Sequence, residues 1–152
     1  MPTKIAIAGA AGRMGRRLVA LAAADPELRI TAALEQSGNP AIGTDAATLA
    51  GMPAIAVPVS DSTPLEFDVL VDFSLPQGTS LWLQACQEAH RPIVIGTTGQ
   101  TDSQLQQIHE ASKIIPVLKA PNMSVGVNVL LRLARELARI LDASYDIEIA
   151  ET

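Results

Sequence analysis

The chain has 152 residues, a length that suits one domain with a sizeable core, and a formal net charge of −5. This acidic balance argues against a nucleic-acid partner, and no apolar run approaches the ~20 residues that a membrane-spanning helix needs. Hydrophobic residues make up 48% of the chain and aromatic residues 3%, so we expect an aliphatic core. The single cysteine, Cys86, and the lack of a visible signal peptide suit a cytoplasmic protein. We expect Cys86 to be buried packing rather than a nucleophile.

Strands and helices alternate along the first 120 residues. Strands are predicted over residues 4–8, 28–34, 69–73, 92–95 and 116–118, with a short further strand near 55–57. Helices are predicted over residues 13–24, 77–89 and 102–112, and the glycine- and proline-containing stretch 39–61 is predicted to be a loop that could act as a flap. Several strands are continuous apolar runs, as expected when helices cover both faces of a parallel sheet. The sequence therefore predicts an α/β domain with a doubly wound parallel sheet and a ligand at the carboxyl ends of its strands.

The last 30 residues follow a different pattern. Apolar side chains between Leu130 and Leu141 recur every three or four residues, with arginines on the opposite face, which predicts an amphipathic helix. Residues 145–151 then alternate strictly between apolar and polar, which predicts a strand with one face in water. Because a strand needs a partner, we expect this one to be the first strand of another sheet, in a second domain that the chain contains only in part. The predicted domains are 1–123 and 124–152.

A glycine-rich segment, GAAGRMG at residues 9–15, directly follows the first predicted strand. Glycines let the backbone approach the phosphates of a dinucleotide, and the N–H groups at the start of the next helix face their negative charge. Glu35, twenty residues after Gly15, directly follows the second predicted strand, where its carboxylate can accept hydrogen bonds from a ribose. Ala11 stands where the common G-x-G-x-x-G pattern has its second glycine, and Gly12 follows it. The alternative interpretation is a turn that only packs a helix against a strand.

Three further strand ends contain residues suited to a ligand. Asp72 and Phe73 end one strand, where Asp72 could be structural and Phe73 could be either a stacking surface or part of the core. Small residues at 96–99 (GTTG) would let a flat ring approach the backbone while hydroxyls and amides bind a carboxamide, or they would form an ordinary turn. Asn122 or Ser124 after the last strand would cap a helix whatever the function.

Together these segments resemble the 4-hydroxy-tetrahydrodipicolinate reductase (dihydrodipicolinate reductase) family along all 152 residues. The matching segments are IAGAAGRMG (7–15), ALE (33–35), VDFS (71–74), VIGTTG (94–99), PNMSVGVN (121–128) and YDIEIAE (145–151). The resemblance implies a Rossmann-type amino-terminal domain and a mixed-sheet domain that binds substrate and forms a homotetramer. It also implies NAD(P)H-dependent reduction of 4-hydroxy-tetrahydrodipicolinate, a cyclic dicarboxylate, to tetrahydrodipicolinate in the diaminopimelate route to lysine.

The resemblance also assigns roles to individual residues, all of them toward the cofactor or substrate and none toward a metal. The cofactor phosphates would be cradled by Gly9, Ala10, Ala11, Gly12, Arg13 and Met14. Glu35 would hold the adenosine ribose. The nicotinamide carboxamide would be held by Gly96, Thr97 and Thr98, of which Thr98 would also touch the substrate. The cofactor groove at the hinge would be lined by Ala120, Pro121, Asn122 and Met123.

The residue after Glu35 bears on the choice of cofactor. Many family members have a basic residue there that pairs with the 2′-phosphate of NADPH, whereas this chain has Gln36. A carboxylate repels that phosphate and glutamine offers no compensating charge. Arg13 and Arg16 could compensate in part. We therefore expect NADH to be preferred, with NADPH remaining possible.

The family's acid and substrate-binding groups are not found in this sequence. In the family, a paired-histidine and lysine motif and a Gly-Thr loop follow the strand that matches residues 145–151, and we expect the corresponding groups to lie beyond Thr152. His90 and His109 are expected on the surface, and Lys119 is the remaining candidate cation near the cleft. We therefore assign no catalytic residue and expect the 152-residue chain alone to be inactive.

Two other classes of function were considered. A short-chain reductase needs a Tyr-x-x-x-Lys pair, but the only tyrosine, Tyr145, is followed four residues later by Ile149, so this class fails. A non-catalytic dinucleotide sensor or assembly module would use the same fold without an acid/base group, and this alternative remains open.

Overall fold

The computed structural model describes residues 1–62, 66–141, 144–148 and 150. The chain divides into two compact units, Met1–Pro121 and Asn122–Thr152. The described strands are β1 (Thr3–Ala8), β2 (Leu28–Leu34), β3 (Val59–Ser60), β4 (Val69–Asp72), β5 (Ile93–Ile95) and β6 (Val117–Lys119). The described helices are α1 (Arg13–Ala24), α2 (Ala46–Leu49), α3 (Pro76–Glu88), α4 (Asp102–Ala111) and α5 (Val125–Ile140).

All six strands form one parallel sheet in the order β3-β2-β1-β4-β5-β6. Ala8, at the end of β1, lies opposite Leu34 on one side and Asp72 on the other, so β1, β2 and β4 end side by side. The chain starts in the middle of the sheet, winds outward to one edge, and then returns to wind toward the other. The doubly wound parallel sheet is therefore confirmed, and the change of direction lies between β1 and β4.

Alternate residues of the strands feed two hydrophobic clusters, one on each face of the sheet. Ile5 and Ile7 of β1 belong to the cluster under α1, whereas Ala6 and Ala8 belong to the cluster that contains residues of α3 and α4. Small β1 side chains on the second face leave room for the indole of Trp82, which is buried there. Cys86 is fully buried in the same cluster, as expected. The core is almost entirely aliphatic, which agrees with the composition.

The stretch between β2 and β4 differs most from expectation. The strand predicted near residues 55–57 is wrong: the edge strand is Val59–Ser60 instead, and Ala56 has a left-handed φ of 59° that breaks an extended chain. The Asp45 carboxylate supplies the reason, because it accepts the backbone N–H groups of Ile55 and Val57 and so withdraws them from the sheet. The same carboxylate accepts two N–H groups at the start of α2, a one-turn helix that was not predicted.

The second unit contains α5, and the amphipathic helix predicted there is confirmed. Ser124 is its N-cap: the Ser124 hydroxyl oxygen accepts a hydrogen bond from the Val127 N–H at 3.4 Å. The strand predicted over residues 145–151 is not found, since 145–148 and 150 lie outside any strand; residues 149 and 151 lie outside the described part. A strand needs a neighbour to accept its backbone hydrogen bonds, and no described residue of this unit supplies one. Within the residues that the structure describes, no helix is both long and apolar enough to cross a membrane.

Candidate dinucleotide site

An open cleft of about 840 Å³ lies at the carboxyl ends of β1, β2 and β4, where the strand order changes direction. This is where doubly wound sheets bind their ligands. The cleft is lined by parts of the glycine-rich turn, the residues after Glu35 and the start of α3. Those lining residues are Gly9, Ala11, Gly12, Arg16, Glu35, Gln36, Ser37, Asn39, Pro40, Ala41, Thr44, Leu49, Phe73, Ser74, Leu75, Gln77, Gly78, Leu81 and Trp82.

Three glycines shape the turn between β1 and α1, and each has a different reason to be glycine. Gly9 has a φ of 75°, and a Cβ there would overlap the Phe73 carbonyl. A Cβ on Gly15 would overlap the carbonyl oxygen of Gly9 and lie 2.6 Å from the Ala10 Cα. Gly12 has an ordinary extended φ of −70°, and its nearest neighbour, the Gly9 oxygen, would be 3.2 Å from a Cβ. Packing therefore demands the first and third glycines, while Gly12 leaves the turn open to a ligand.

The start of α1 has the donors that a phosphate requires. Gly12 is the N-cap, and no side chain accepts hydrogen bonds from the first turn of the helix. The N–H groups of that turn can therefore donate to an anion. The first turn also contains no acidic residue that would oppose one. Arg13 and Met14 lie in this turn with exposed side chains that are not part of the cleft lining, and Ala10 is buried in the core. The backbone of the segment, rather than these side chains, fits a pyrophosphate.

Glu35 lies inside the cleft and is joined directly to the glycine-rich turn. Its Oε1 atom accepts the Ala11 backbone N–H at 2.9 Å, and its Oε2 atom accepts the Asn39 side-chain N–H at 3.1 Å. Adjacent pairing of β1 with β2 produces this meeting, because it brings the residue after β2 beside the turn after β1. The two residues that the sequence nominated for the phosphates and the ribose are thus in contact.

One arginine also reaches the turn. The Arg16 Nε–H donates to the Ala11 carbonyl oxygen at 2.8 Å, and Arg16 lines the cleft together with Gln36. Of the two arginines considered as compensating charges, Arg16 is therefore the one placed at the site, whereas Arg13 is not part of the cleft lining.

Asp72 is structural. Its carboxylate is completely buried and accepts the Ser74 N–H at 2.9 Å, the Ser74 hydroxyl at 2.6 Å and the Thr79 hydroxyl at 2.6 Å. Its main-chain oxygen accepts the N–H groups of Gly96 and Thr97. These bonds fasten the end of β4 to the first turns of α3 and to the segment after β5. Asp72 thereby sets the geometry of the cleft without lining it.

Phe73 is both a lining residue and a packing residue. Its ring is half-buried, lines the cleft, and stands where a Cβ on Gly96 would have to lie. The 96–99 segment meets the cleft only through this ring, since neither Gly96 nor its two threonines belong to the lining. Thr97 is 5% exposed, and its hydroxyl is directed to the Asp72 main-chain oxygen at 3.4 Å, whereas Thr98 is exposed.

The remaining predicted groove residues follow β6. The Ala120 N–H donates to the Ile95 carbonyl at 3.2 Å, so Ala120 continues the pairing of β6 with β5 at the carboxyl edge, and Pro121 ends the first unit. Asn122 and Met123 belong to the second unit and are exposed. The Asn122 side-chain oxygen accepts the Ser124 N–H at 2.8 Å, a local turn that precedes α5.

The titratable side chains considered as chemical groups lie away from the cleft lining. Burial, with a smaller contribution from the nearby Asp72 charge, raises the pKa of the Cys86 thiol to about 12, which fits a packing residue and not a nucleophile. His90 and His109 are exposed, as expected, and Lys119 is exposed at the end of β6. Among the described residues, no group of three His, Cys, Asp or Glu side chains is arranged to hold a metal.

Sequence reasoning missed two contributors to the cleft. Asn39 lies in the stretch predicted only as a loop, and its position four residues after Glu35 was the available clue. The wall formed by α3, including Leu75, Leu81 and Trp82, was the other. The sequence signal for this wall was the pair of leucines at 75 and 81, around the start of the helix predicted over residues 77–89. The structure shows that both are exposed.

The parallel sheet, the glycine-rich turn and the acidic residue after β2 define a dinucleotide-binding domain of the Rossmann type. The family model described as "Dihydrodipicolinate reductase, N-terminus" matches residues 3–123. The chain therefore belongs to the dihydrodipicolinate reductase family, in which it corresponds to the amino-terminal region.

Individual relatives agree with this assignment. The chain is 44% identical over 152 residues to a 4-hydroxy-tetrahydrodipicolinate reductase of Anaeromyxobacter dehalogenans. This match covers 98% of this chain and 56% of the relative. It is 45% identical over 150 residues to the enzyme of the same name from Nitrosospira multiformis, covering 97% of this chain and 55% of the relative. The chain thus spans about half the length of the curated relatives that it matches.

A solved structure shows the same likeness in three dimensions. The dipicolinate-bound dihydrodipicolinate reductase from Paenisporosarcina sp. TG-14 superimposes with a TM-score of 0.68 at 26% identity, covering 91% of this chain and 54% of that one. An NADP-bound aspartate semialdehyde dehydrogenase from Candida albicans, at 14% identity and a TM-score of 0.55 over 80% of this chain and 43% of that one, shares the fold alone.

Proposed function

We propose that this chain binds a nicotinamide dinucleotide in the cleft and forms the cofactor-binding part of a 4-hydroxy-tetrahydrodipicolinate reductase. The observation that supports this most directly is the 2.9 Å hydrogen bond between the Ala11 N–H and the Glu35 carboxylate. It brings the turn that we assign to the phosphates and the acid that we assign to the ribose to one edge of the cleft. Membership of the family supports 4-hydroxy-tetrahydrodipicolinate as the substrate of the enzyme to which we propose that this chain belongs.

The cleft would bind one half of the cofactor, and the strand ends beyond β4, outside the cleft lining, would bind the other. The open turn at Gly12 and the uncapped start of α1 would hold the pyrophosphate, and Glu35 would hold the adenosine ribose. On the other side of β4, the segment at Gly96, Thr97 and Thr98 would hold the nicotinamide carboxamide, with Ala120 to Met123 following the groove. A bound reduced nicotinamide supplies a hydride. The exposed hydroxyl of Thr98 is the group that we assign to both the carboxamide and the substrate.

A complete reduction also needs a proton and cations for two carboxylates. Among the described residues no histidine lines the cleft, and Lys119, exposed at the end of β6, is not part of its lining. The relatives extend over roughly twice the length of this chain, so we propose that these groups belong to the region outside it. The resemblance to the family also leads us to expect a homotetramer and a cytoplasmic location for the complete enzyme.

We further propose that NADH binds more tightly than NADPH. A 2′-phosphate would approach the Glu35 carboxylate, and Gln36 beside it has no charge to offset the repulsion. Arg16, held at the turn through the Ala11 oxygen, is the one cation in the cleft lining among the residues that the structure describes, and it would reduce the difference between the two cofactors. Paired titrations with NADH and NADPH test this, and tighter binding of NADPH would overturn it.

Direct binding of NADH to the 152-residue chain tests the main proposal. We expect saturable binding in calorimetric titration, and Glu35→Ala should weaken it about tenfold or more, because hydrogen bonds to a charged group are lost. Glu110→Ala, which removes an exposed carboxylate on α4, is the matched control and should leave the affinity unchanged. Folded protein that does not bind NADH, or equal affinity of the Glu35→Ala variant, would contradict the proposal.

Turnover is the second test. NADH oxidation is measured with freshly generated 4-hydroxy-tetrahydrodipicolinate, and we expect none from the 152-residue chain alone. Turnover by this chain would show that the groups we place outside it are dispensable. Binding of NADH without turnover agrees with the proposal, whereas a change of oligomeric state on NADH binding would favour the sensor or assembly alternative.

A further inference from the structure

We propose that Asn39 is a positioning residue for the cofactor: it orients the Glu35 carboxylate so that its free acceptor sites match the two hydroxyls of a ribose. This inference rests on the proposed function, since it concerns how the same cleft recognises its ligand. Asn39 would thereby contribute to the preference for an unmodified ribose over one bearing a 2′-phosphate.

Two donors hold the carboxylate, one at each oxygen. The Ala11 backbone N–H donates to Oε1 at 2.9 Å, and the Asn39 side-chain N–H donates to Oε2 at 3.1 Å. A single donor would leave the carboxylate free to rotate about that bond. Two donors, one on the glycine-rich turn and one on the loop after β2, each bound to a different oxygen, fix the plane of the group inside the cleft.

The remaining capacity of the carboxylate fits a vicinal diol. An ionised carboxylate has about four acceptor sites, two on each oxygen. Ala11 and Asn39 use one site on each oxygen of Glu35, which leaves one site on each for a ligand. A ribose offers two adjacent O–H donors, so both free sites can be used at once. A phosphate ester at the 2′ position removes one donor and adds a repelling charge.

Asn39 is itself held in place by the turn that contains it. Its side-chain oxygen accepts the Ala41 N–H at 2.9 Å, and its backbone N–H donates to the Gln36 carbonyl at 3.1 Å. Gly38, with a φ of 80°, permits the tight return of the chain between them. The side chain is half-buried and uses its oxygen for the turn and its N–H for Glu35. Its two ends therefore serve different partners, and a substitution can separate them.

The test compares the displacement of NADH by ADP and by 2′-deoxy-ADP, which differ only in the ribose 2′-hydroxyl. The ratio of the two dissociation constants reports recognition of that hydroxyl and is insensitive to a general loss of fold. Asn39→Asp keeps the oxygen that accepts the Ala41 N–H but replaces the donor to Glu35 by a second carboxylate, which repels it. Asn39→Ala removes both contacts without adding a charge. Gln106→Ala is the matched control, because it removes an amide-to-carboxylate hydrogen bond of 2.9 Å to Glu110 on the exposed face of α4.

We expect the native chain to bind ADP about tenfold more tightly than 2′-deoxy-ADP, and both Asn39 variants to reduce that ratio toward one. Glu35→Ala should bring the ratio to about one, because the acceptor for the 2′-hydroxyl is gone. The double variant Glu35→Ala with Asn39→Ala should have the same ratio as Glu35→Ala alone, because the two residues act through one contact. Gln106→Ala should keep the native ratio.

Three outcomes would overturn the role of Asn39. The first is an unchanged ratio in both Asn39 variants, and the second is equal weakening of the two nucleotides, which would mean that Asn39 only stabilises the loop. The third is a native chain that binds NADH without distinguishing the two nucleotides, in which case the proposed function still stands. A native chain that binds neither NADH nor ADP would instead show that the proposed function itself is wrong.

Discussion

Gly15 lies so close to Gly9 that a Cβ on Gly15 would overlap the Gly9 carbonyl oxygen. The contact joins the first turn of α1 to the end of β1, and both partners are main chain, so no side chain can move to relieve an overlap. Gly12 lies between them with a Cβ position 3.2 Å from the same oxygen. Two of the three glycines in the turn are therefore required by packing, and the middle one is not.

The first prediction concerns the stability of these glycine variants. Gly15→Ala should lower the free energy of unfolding by about 3 kcal/mol, because α1 must move away from β1. Gly12→Ala should lower it by no more than about 1 kcal/mol, since its φ is ordinary and its Cβ would approach the Gly9 oxygen to 3.2 Å without the overlap found at Gly15. Urea unfolding of the two variants measures the difference. Equal losses would show that packing does not distinguish the two positions.

The second prediction concerns binding by the same pair. Gly12→Ala should weaken NADH binding about tenfold or more in a protein that remains folded, because its methyl group occupies the space that we assign to the pyrophosphate. Gly51→Ala is the control: that residue lies outside the cleft lining, and its Cβ would have no neighbour within 4 Å. Its positive φ of 77° should reduce stability while leaving NADH affinity unaltered. Undiminished NADH affinity in Gly12→Ala would place the pyrophosphate elsewhere.

The parts of the fold that the sequence predicted correctly are those determined by local pattern. The continuous apolar runs located β1 and β2, and the residues of α1 were predicted without error. Placing the turn after β1 beside Glu35 needed only the usual pairing of a first strand with the strand that follows its helix. The glycine-rich turn and Glu35, which meet in the cleft, could therefore each be predicted from a short segment of sequence.

The parts that the sequence did not reveal depend on partners distant along the chain. The residues near 55–57 are apolar enough for a strand, but Asp45 takes their N–H groups ten and twelve residues away. Asn39 is one of several polar residues in an irregular loop, and its position four residues after Glu35 is the one local sign that Glu35 is its partner. Phe73 was open to two interpretations because its ring serves both, packing on Gly96 while lining the cleft.

The third prediction concerns the buried Asp72 carboxylate. Thr79→Val removes the hydroxyl that donates to Asp72 at 2.6 Å and leaves a completely buried oxygen without that donor. The free energy of unfolding should fall by about 1–3 kcal/mol, the range for an unsatisfied buried polar group. Thr79→Ser, which keeps the hydroxyl and loses a methyl group, should lower the free energy of unfolding by less than Thr79→Val does. A Thr79→Ser variant as unstable as Thr79→Val would attribute the effect to the methyl group instead.

The fourth prediction concerns the pH dependence that Asp45 contributes. Hydrogen bonds from backbone N–H groups, that of Thr48 foremost and then those of Val57, Ile55 and Ala47, hold the pKa of the Asp45 carboxyl below its usual value of 3.8, despite some opposing desolvation. Because the folded-state pKa is depressed, the stabilisation is complete above the unfolded-state value and is lost as the pH falls through the folded-state value.

Asp45→Asn should therefore unfold more easily than the native chain at pH 7, since an amide nitrogen cannot accept the N–H groups of Ile55 and Val57. Urea unfolding between pH 7 and pH 2.5 should show this difference constant at neutral pH and shrinking below about pH 4. Asp61→Asn, at an exposed carboxylate of the same connection, is the control and should change stability by less than about 0.5 kcal/mol throughout. A difference between native and Asp45→Asn protein that stays the same down to pH 2.5 would mean that the charge of Asp45 plays no part in holding this loop.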